Sequence, residues 1–106
     1  MNKMQLDREA WAKLDLFAQM GNIGSEVGRA LAAKLRSDEA RMQAAFLRGM
    51  DLINATIKLW AARGDGRIKE LLRARELFAQ SILTDKVDPK LEEYFMQFAR
   101  VARRGL

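Results

Sequence analysis

The sequence predicts an all-α fold, an antiparallel four-helix bundle, and three observations carry that expectation. Proline occurs once, at Pro89. No window alternates apolar with polar residues as a half-buried strand does. Apolar residues instead recur at three- and four-residue intervals through four stretches of the chain. The length of 106 residues suits one domain, residues 1–106. With 49% hydrophobic and 31% charged residues the chain can bury a core and still dissolve.

The first stretch runs from about Asp7 to Arg36, with a stripe through Ala10, Leu14, Phe17, Gly21, Gly24, Gly28, Leu31 and Leu35. Glu9 precedes Lys13 by four residues, a favourable helical pair, and Lys34 and Arg36 sit where the helix dipole attracts cations. Each mid-helix glycine destabilises the helix by about 1 kcal/mol relative to alanine. Two readings follow: a continuous helix, favoured because the glycines fall in register with the apolar stripe, or a break near Gly21 to Ser25 that makes five helices. In the continuous reading the glycines let a neighbouring backbone approach closely.

Ser37 is positioned to cap the second helix, with Asp38 and Glu39 in its first turn and a stripe through Met42, Phe46, Gly49, Ile53, Ile57 and Trp60. Gly64-Asp65-Gly66 is a turn signal that ends it. The third helix follows, with Ile68, Leu71, Leu72, Phe78, Ala79 and Ile82 on one face. Thr84 to Val87 make a polar connection, after which Asp88 caps and Pro89 opens the fourth helix where a missing N–H is harmless. Its stripe is Leu91, Phe95, Phe98 and Ala102, with Glu92 and Glu93 in the first turn and Arg100, Arg103 and Arg104 in the last.

Short connections make successive helices antiparallel. At 1.5 Å per residue the first two span roughly 45 and 39 Å and the last two only about 25 Å. The long pair should therefore overhang, leaving a tip from about Gly28 to Phe46 uncovered. Leu31, Leu35, Met42 and Phe46 lie on that tip, and an apolar patch of this kind predicts a homo-oligomer or a partner protein.

No catalytic apparatus is visible. Histidine and cysteine are absent, which removes the commonest general base, the thiolate nucleophile and the usual ligands of a transition metal. The doublets Asp38-Glu39 and Glu92-Glu93 point about 100° apart on a helix and read as first-turn charges, not as acid–base pairs. Gly21, Gly24 and Gly28 lack the preceding strand and the Gly-Lys-Ser/Thr of a phosphate loop, and Gly64-Asp65-Gly66 is too short for a calcium loop. The expectation is a non-enzymatic protein without metal or cofactor. The apolar run Met50 to Ala62 is interrupted by Asp51, Asn54 and Lys58, and the first thirteen residues do not read as a signal peptide, so a cytoplasmic protein without a membrane span is expected.

The formal net charge of +5 favours polyanionic partners. Residues 54 to 106 carry 11 basic against 7 acidic side chains, while the preceding half carries 8 against 7. Arg63, Arg67, Lys69, Arg73, Arg100, Arg103 and Arg104 are accordingly the candidates for contact with RNA or DNA, although the last three are equally explained as dipole partners. Trp11 and Tyr94 are the candidate stacking aromatics, and both also suit a boundary position. Arg75 falls amid the apolar face of the third helix, where a guanidinium reaches the bundle edge, pairs with an internal carboxylate or faces an acidic ligand.

The segments Gly21-Asn22-Ile23-Gly24-Ser25-Glu26-Val27-Gly28-Arg29-Ala30, Glu70-Leu71-Leu72-Arg73-Ala74-Arg75-Glu76 and Tyr94-Phe95-Met96-Gln97-Phe98 give the chain its resemblance to a family of short helical bacterial proteins. That resemblance covers most of the chain and brings no activity with it. In size, charge and helix count the chain is also similar in plan to the four-helix-bundle accessory proteins of diversity-generating retroelements, which oligomerise and bind reverse transcriptase and RNA. It resembles, too, small helical toxin–antitoxin domains of the HEPN type, but without histidine it lacks their ribonuclease motif. The functional expectation is an accessory or adaptor bundle that self-associates and shows a basic face to nucleic acid. The alternative is a small subunit or antitoxin-like module that binds protein alone.

Overall fold

The computed structural model describes residues 6–104, with side chains through Val101. It is all-helical, with five helices: α1 (Arg8–Lys13), α2 (Leu16–Leu35), α3 (Glu39–Arg63), α4 (Ile68–Leu83) and α5 (Lys90–Arg104). The four long helices form the expected antiparallel bundle.

The fifth helix arises at a place the apolar periodicity conceals. The chain is continuous through Gly21, Gly24 and Gly28, but breaks at Leu14, which is extended at φ −73° and ψ 146°. Asp15 then starts α2 by accepting a hydrogen bond from the Ala18 N–H at 2.8 Å, as Asp7 starts α1 by accepting from Ala10. Both aspartates supply an acceptor for N–H groups that a new helix leaves unpaired.

α1 is held by side chains. Trp11 is buried, and its indole N–H donates to Thr56 Oγ1 at 2.9 Å. Gln19 donates to the Trp11 carbonyl at 2.9 Å and accepts from Trp60 Nε1 at 3.4 Å. Burying these polar atoms is tolerable because they satisfy one another. Trp11 is therefore part of the core and not a free stacking surface.

α2 lies between α3 and α5, running antiparallel to both. Its glycine face receives α5: a Cβ placed on Gly21 would stand 3.3 Å from Ala99, on Gly24 2.6 Å from Phe95, and on Gly28 3.0 Å from Glu92. At Gly21 and Gly24 this is the close backbone approach expected, whereas Gly28 meets only the carboxylate end of the Glu92 side chain. α4 packs chiefly on α3, and its seam with α5 is sparse. Trp60, Phe78, Phe95, Met20, Ile23, Ile53 and Leu71 fill the centre.

The helix ends are set locally. Gly64, at φ +69°, closes α3: its N–H donates to Ala61 O, and Asp65 N–H donates to Trp60 O. α2 ends in the same two-bond motif, Ser37 N–H to Lys34 O and Asp38 N–H to Ala33 O, with Ser37 at φ +56°. Ser37 thus ends α2 instead of capping α3. The capping side chain is Asp38, which accepts from the Arg41 N–H.

The overhanging tip is largely closed. Phe46 packs edge-on to Phe78 with ring centroids 5.0 Å apart, and Leu31 and Met42 lie half-buried against the core. Lys34 donates its ammonium to the carbonyls of Ser81 and Thr84, fastening the last turn of α4 to the end of α2. The tip is covered because the last turns of α4 reach it: Phe78 meets Phe46, and Ile82 lines a cleft with Lys34, Ser37 and Met42. Of the four tip residues only Leu35 stands free, at 89% exposure. No helix among the described residues is long and apolar enough to cross a membrane.

Candidate nucleic-acid interface

The α2–α3 hairpin aligns four arginines along one cleft. Arg29 on α2 and Arg36, the residue just past its end, are seven apart, and Arg41 and Arg48 are seven apart on α3. Seven residues make almost two full helical turns, so each pair projects from one side of its helix. Because the helices run in opposite directions, Arg29 comes opposite Arg48, while Arg36 and Arg41 flank the hairpin connection. The cleft, about 430 Å³, has Ala32, Ala44 and Ala45 as its other lining residues. Three methyl side chains keep its floor shallow and its walls cationic.

Glu26 organises the inner end. Its side chain is largely buried, with the Cβ beside Gly49, and its carboxylate accepts from Arg29 Nη1 at 3.1 Å and from Arg48 Nε at 2.8 Å. Each guanidinium engages it through one nitrogen and keeps its other N–H donors. At the outer end Arg41 Nε lies 3.5 Å from Asp38. Arg36 has no carboxylate within ion-pair distance among the described residues. Four guanidiniums thus face two carboxylates, an excess of positive charge in a concave site.

The basic residues singled out from the second half occupy different ground. Arg67 pairs with Asp65 at 3.3 Å, Arg73 with Glu76 at 3.5 Å and Arg100 with Glu93 through two nitrogens at 2.8 and 3.0 Å. The Arg100 pairing holds the Glu93 carboxyl below its ordinary range. Arg63 donates to the Ala12 carbonyl at 3.4 Å, and Lys69 is exposed. The side chains of Arg103 and Arg104 lie outside the described residues. Topology gathers Arg63, Arg67, Lys69 and Arg100 at the end of the bundle where α3 and α5 finish and α4 begins. There Arg67 and Arg100 are answered by carboxylates, while Arg63 and Lys69 have none within ion-pair distance among the described residues.

Arg75 is half-buried and donates to Asn54 Oδ1 at 2.8 Å. It is not a buried charge: it reaches the bundle edge and finds a neutral amide, with neither an internal carboxylate nor an enclosed ligand site around it. Tyr94 is half-buried too, its ring against Phe95 and Phe98. With Ala74, Leu77 and Leu91 it lines a cavity of about 360 Å³ in the α4–α5 seam, rimmed by Glu70, Arg73, Asp88 and Lys90.

Charge counting overlooked the arginine cleft because it averages over sequence. The acids of the first half cancel its total, yet several of them, such as Asp7 and Asp15, cap helices far from the cleft. The signal that finds it is the repeated seven-residue spacing of arginine on both arms of one hairpin. No family model matches the chain, and comparison with characterised proteins and with solved structures likewise yields no match.

Proposed function

We propose that this chain is a non-enzymatic accessory protein, acting in the cytoplasm, whose helical bundle offers a basic surface to nucleic acid or to a nucleic-acid-processing partner. The observation that carries the reading is the α2–α3 cleft, where four arginines line one concavity over an alanine floor. Guanidinium forks suit phosphate oxygens better than lysine's point charge does, and a shallow floor admits a backbone without steric selection. The cations at the opposite end of the bundle extend the attraction to a second region.

Fluorescence polarisation of a labelled 20-nucleotide RNA at 50 and 200 mM salt tests this reading. Affinity should fall by an order of magnitude or more over that range if four or so phosphates are contacted. Arg36→Glu with Arg41→Glu should weaken binding more than Arg67→Glu with Arg100→Glu. Absence of binding at 50 mM salt would overturn the proposal.

A second reading, self-association or docking of a protein, is favoured by Leu35, Leu83 and Val87. These are exposed by 89%, 73% and 47%, and they lie near the end of α2 and the end of α4 that Lys34 ties together. Sedimentation of the wild type against Leu35→Asp with Leu83→Asp distinguishes it: a wild-type monomer removes self-association.

A further inference from the structure

We infer that α1 is an exchangeable arm: two copies of this chain pair by straightening between α1 and α2, each inserting its Trp11 into the socket of the other. Leu14 and Asp15 form the hinge. Both are extended, at ψ 146° and 171°, and they join two helices that start on their own aspartate caps, Asp7 and Asp15. The bend strands Leu14 at the surface, 36% exposed, although it belongs to the apolar stripe that runs on through Phe17 and Gly21. That stripe keeps one helical period on both sides of the hinge, so the stretch from Asp7 to Arg36 is patterned for a single straight helix as well as for the bent pair. Straightening also gives the N–H groups of Leu16 and Phe17, which open α2, the carbonyls of Ala12 and Lys13 as helical acceptors.

The socket names the partner. α1 has no broad seam with any other helix and is held through the buried Trp11. The indole N–H donates to Thr56 Oγ1 on α3, and the Trp11 carbonyl accepts from Gln19 Nε2 on α2. An arm swung out of a lone molecule would leave the buried Gln19 amide without that acceptor and a tryptophan-sized void in the core, a costly state. What refills the socket must carry an indole with the matching backbone, and the α1 of a second copy supplies both. Exchange between identical chains is low in cost because each contact of the closed chain is made again between chains and only the hinge differs.

The spacing fits a closed pair. Asp15 lies midway between Trp11 and Gln19, about 6 Å from the level of each along a straight helix. Two straightened helices packed antiparallel about Asp15 therefore bring each Trp11 level with the other copy's Gln19, and the pair closes on a twofold axis. The same arrangement brings the two Asp15 carboxylates together, and straightening gives up the Asp15 cap, so Asp15 holds the balance toward the single molecule.

The test refolds the full chain from guanidinium at about 500 μM, which frees every arm, and follows its mass by sedimentation as it is diluted. A dimer should form and dissociate on dilution. Leu16→Pro forbids the straight helix yet suits the bent one, since Leu16 is the first residue of α2 and follows the extended Asp15. It should abolish the dimer and leave a helical monomer by circular dichroism. Asp15→Ala should raise the association constant about tenfold or more, as two caps and one repulsion are removed. Leu35→Asp with Leu83→Asp, at the opposite end of the bundle, should leave the dimer unchanged. Exchange itself is read by a covalent link: Arg8 and Lys58 are exposed on α1 and α3 and line one cleft with Trp11. Arg8→Cys with Lys58→Cys, in a chain with no other cysteine, is joined by a short bis-maleimide. The isolated dimer should then run as a linked pair on a denaturing gel and the monomer as a single chain. A dimer linked only within single chains overturns the inference, as does one that survives Leu16→Pro or is lost in Leu35→Asp with Leu83→Asp. An association constant unmoved by Asp15→Ala, or a wild type that stays monomeric at the highest concentration, overturns it as well.

Discussion

The backbone of Gly24 lies against Phe95 so closely that a Cβ on the glycine would stand 2.6 Å from the Cβ of the phenylalanine. Two opposed effects meet here. Alanine is the better helix former by about 1 kcal/mol, but overpacking a fitted interface costs about 1–3 kcal/mol. The neighbour is a Cβ anchored to the α5 backbone, so the steric effect wins. Gly24→Ala should lower stability by about 1–2 kcal/mol in chemical denaturation, separating α5 from α2. Gly66→Ala, with nothing within 4 Å of the added methyl, should be neutral or slightly stabilising and serves as the control.

Ser37 and Gly64 hold equivalent places in two like-bonded helix ends, at φ +56° and +69°. Only glycine adopts that region without strain, and an L-residue there is disfavoured by roughly 1–2 kcal/mol. Ser37→Gly should raise stability by about 1 kcal/mol, or 4–8 °C in the thermal midpoint of a domain near this size. Gly64→Ala should lower it by a similar amount. A serine-to-glycine variant that melts earlier than the wild type would contradict the strain argument.

Lys34 supplies α4 with a cation that α4 lacks, since no basic residue occupies its own last turn. The ammonium caps the Ser81 and Thr84 carbonyls from a different helix. Lys34→Met keeps most of the apolar stem and removes the cap. It should cost about 1–2 kcal/mol and, in hydrogen exchange, loosen the last turn of α4 before the rest. The buried Ser81 hydroxyl finds no partner among the described residues, so Ser81→Ala should be neutral or stabilising by about 1 kcal/mol.

Tyr94 is the single tyrosine of the chain, so its ionisation can be followed alone by ultraviolet absorbance. Burial, reinforced by the charge of Glu70 and opposed by Arg67, pushes its phenol up to about 12 from the ordinary 10.0. The protonated form is favoured in the folded chain. Stability from this residue is therefore complete below pH 10 and is lost as pH rises toward 12, where the unfolded chain sheds the proton first. The phenolate band should appear with a midpoint near 12, and Glu70→Gln should lower that midpoint. A midpoint of 10 in the native protein would place the ring in water.

Much of the bundle is legible in residue order because helix signals are local. Asp88 beside Pro89, Gly64-Asp65-Gly66 and the three-four spacing of apolar residues each act within a turn of themselves, and they mark the long helices correctly. The glycine register of α2 likewise announced a close neighbour. Asp15 escapes notice because its cap sits inside an unbroken apolar period that runs across the extended Leu14. The arginine cleft was overlooked because Arg29 and Arg48 become neighbours only when the hairpin closes.

Local chemistry, then, was enough to determine an all-helical chain with these long helices and no histidine or cysteine chemistry: capping, propensity and periodicity operate over fewer than eight residues. Which helix meets which, that Phe46 lies under Phe78, that Lys34 caps α4 and that four arginines share one cleft were decided by tertiary packing. Arg29 with Arg48, Phe46 with Phe78 and Lys34 with Thr84 join residues 19, 32 and 50 positions apart, and only burial of the common core selects them.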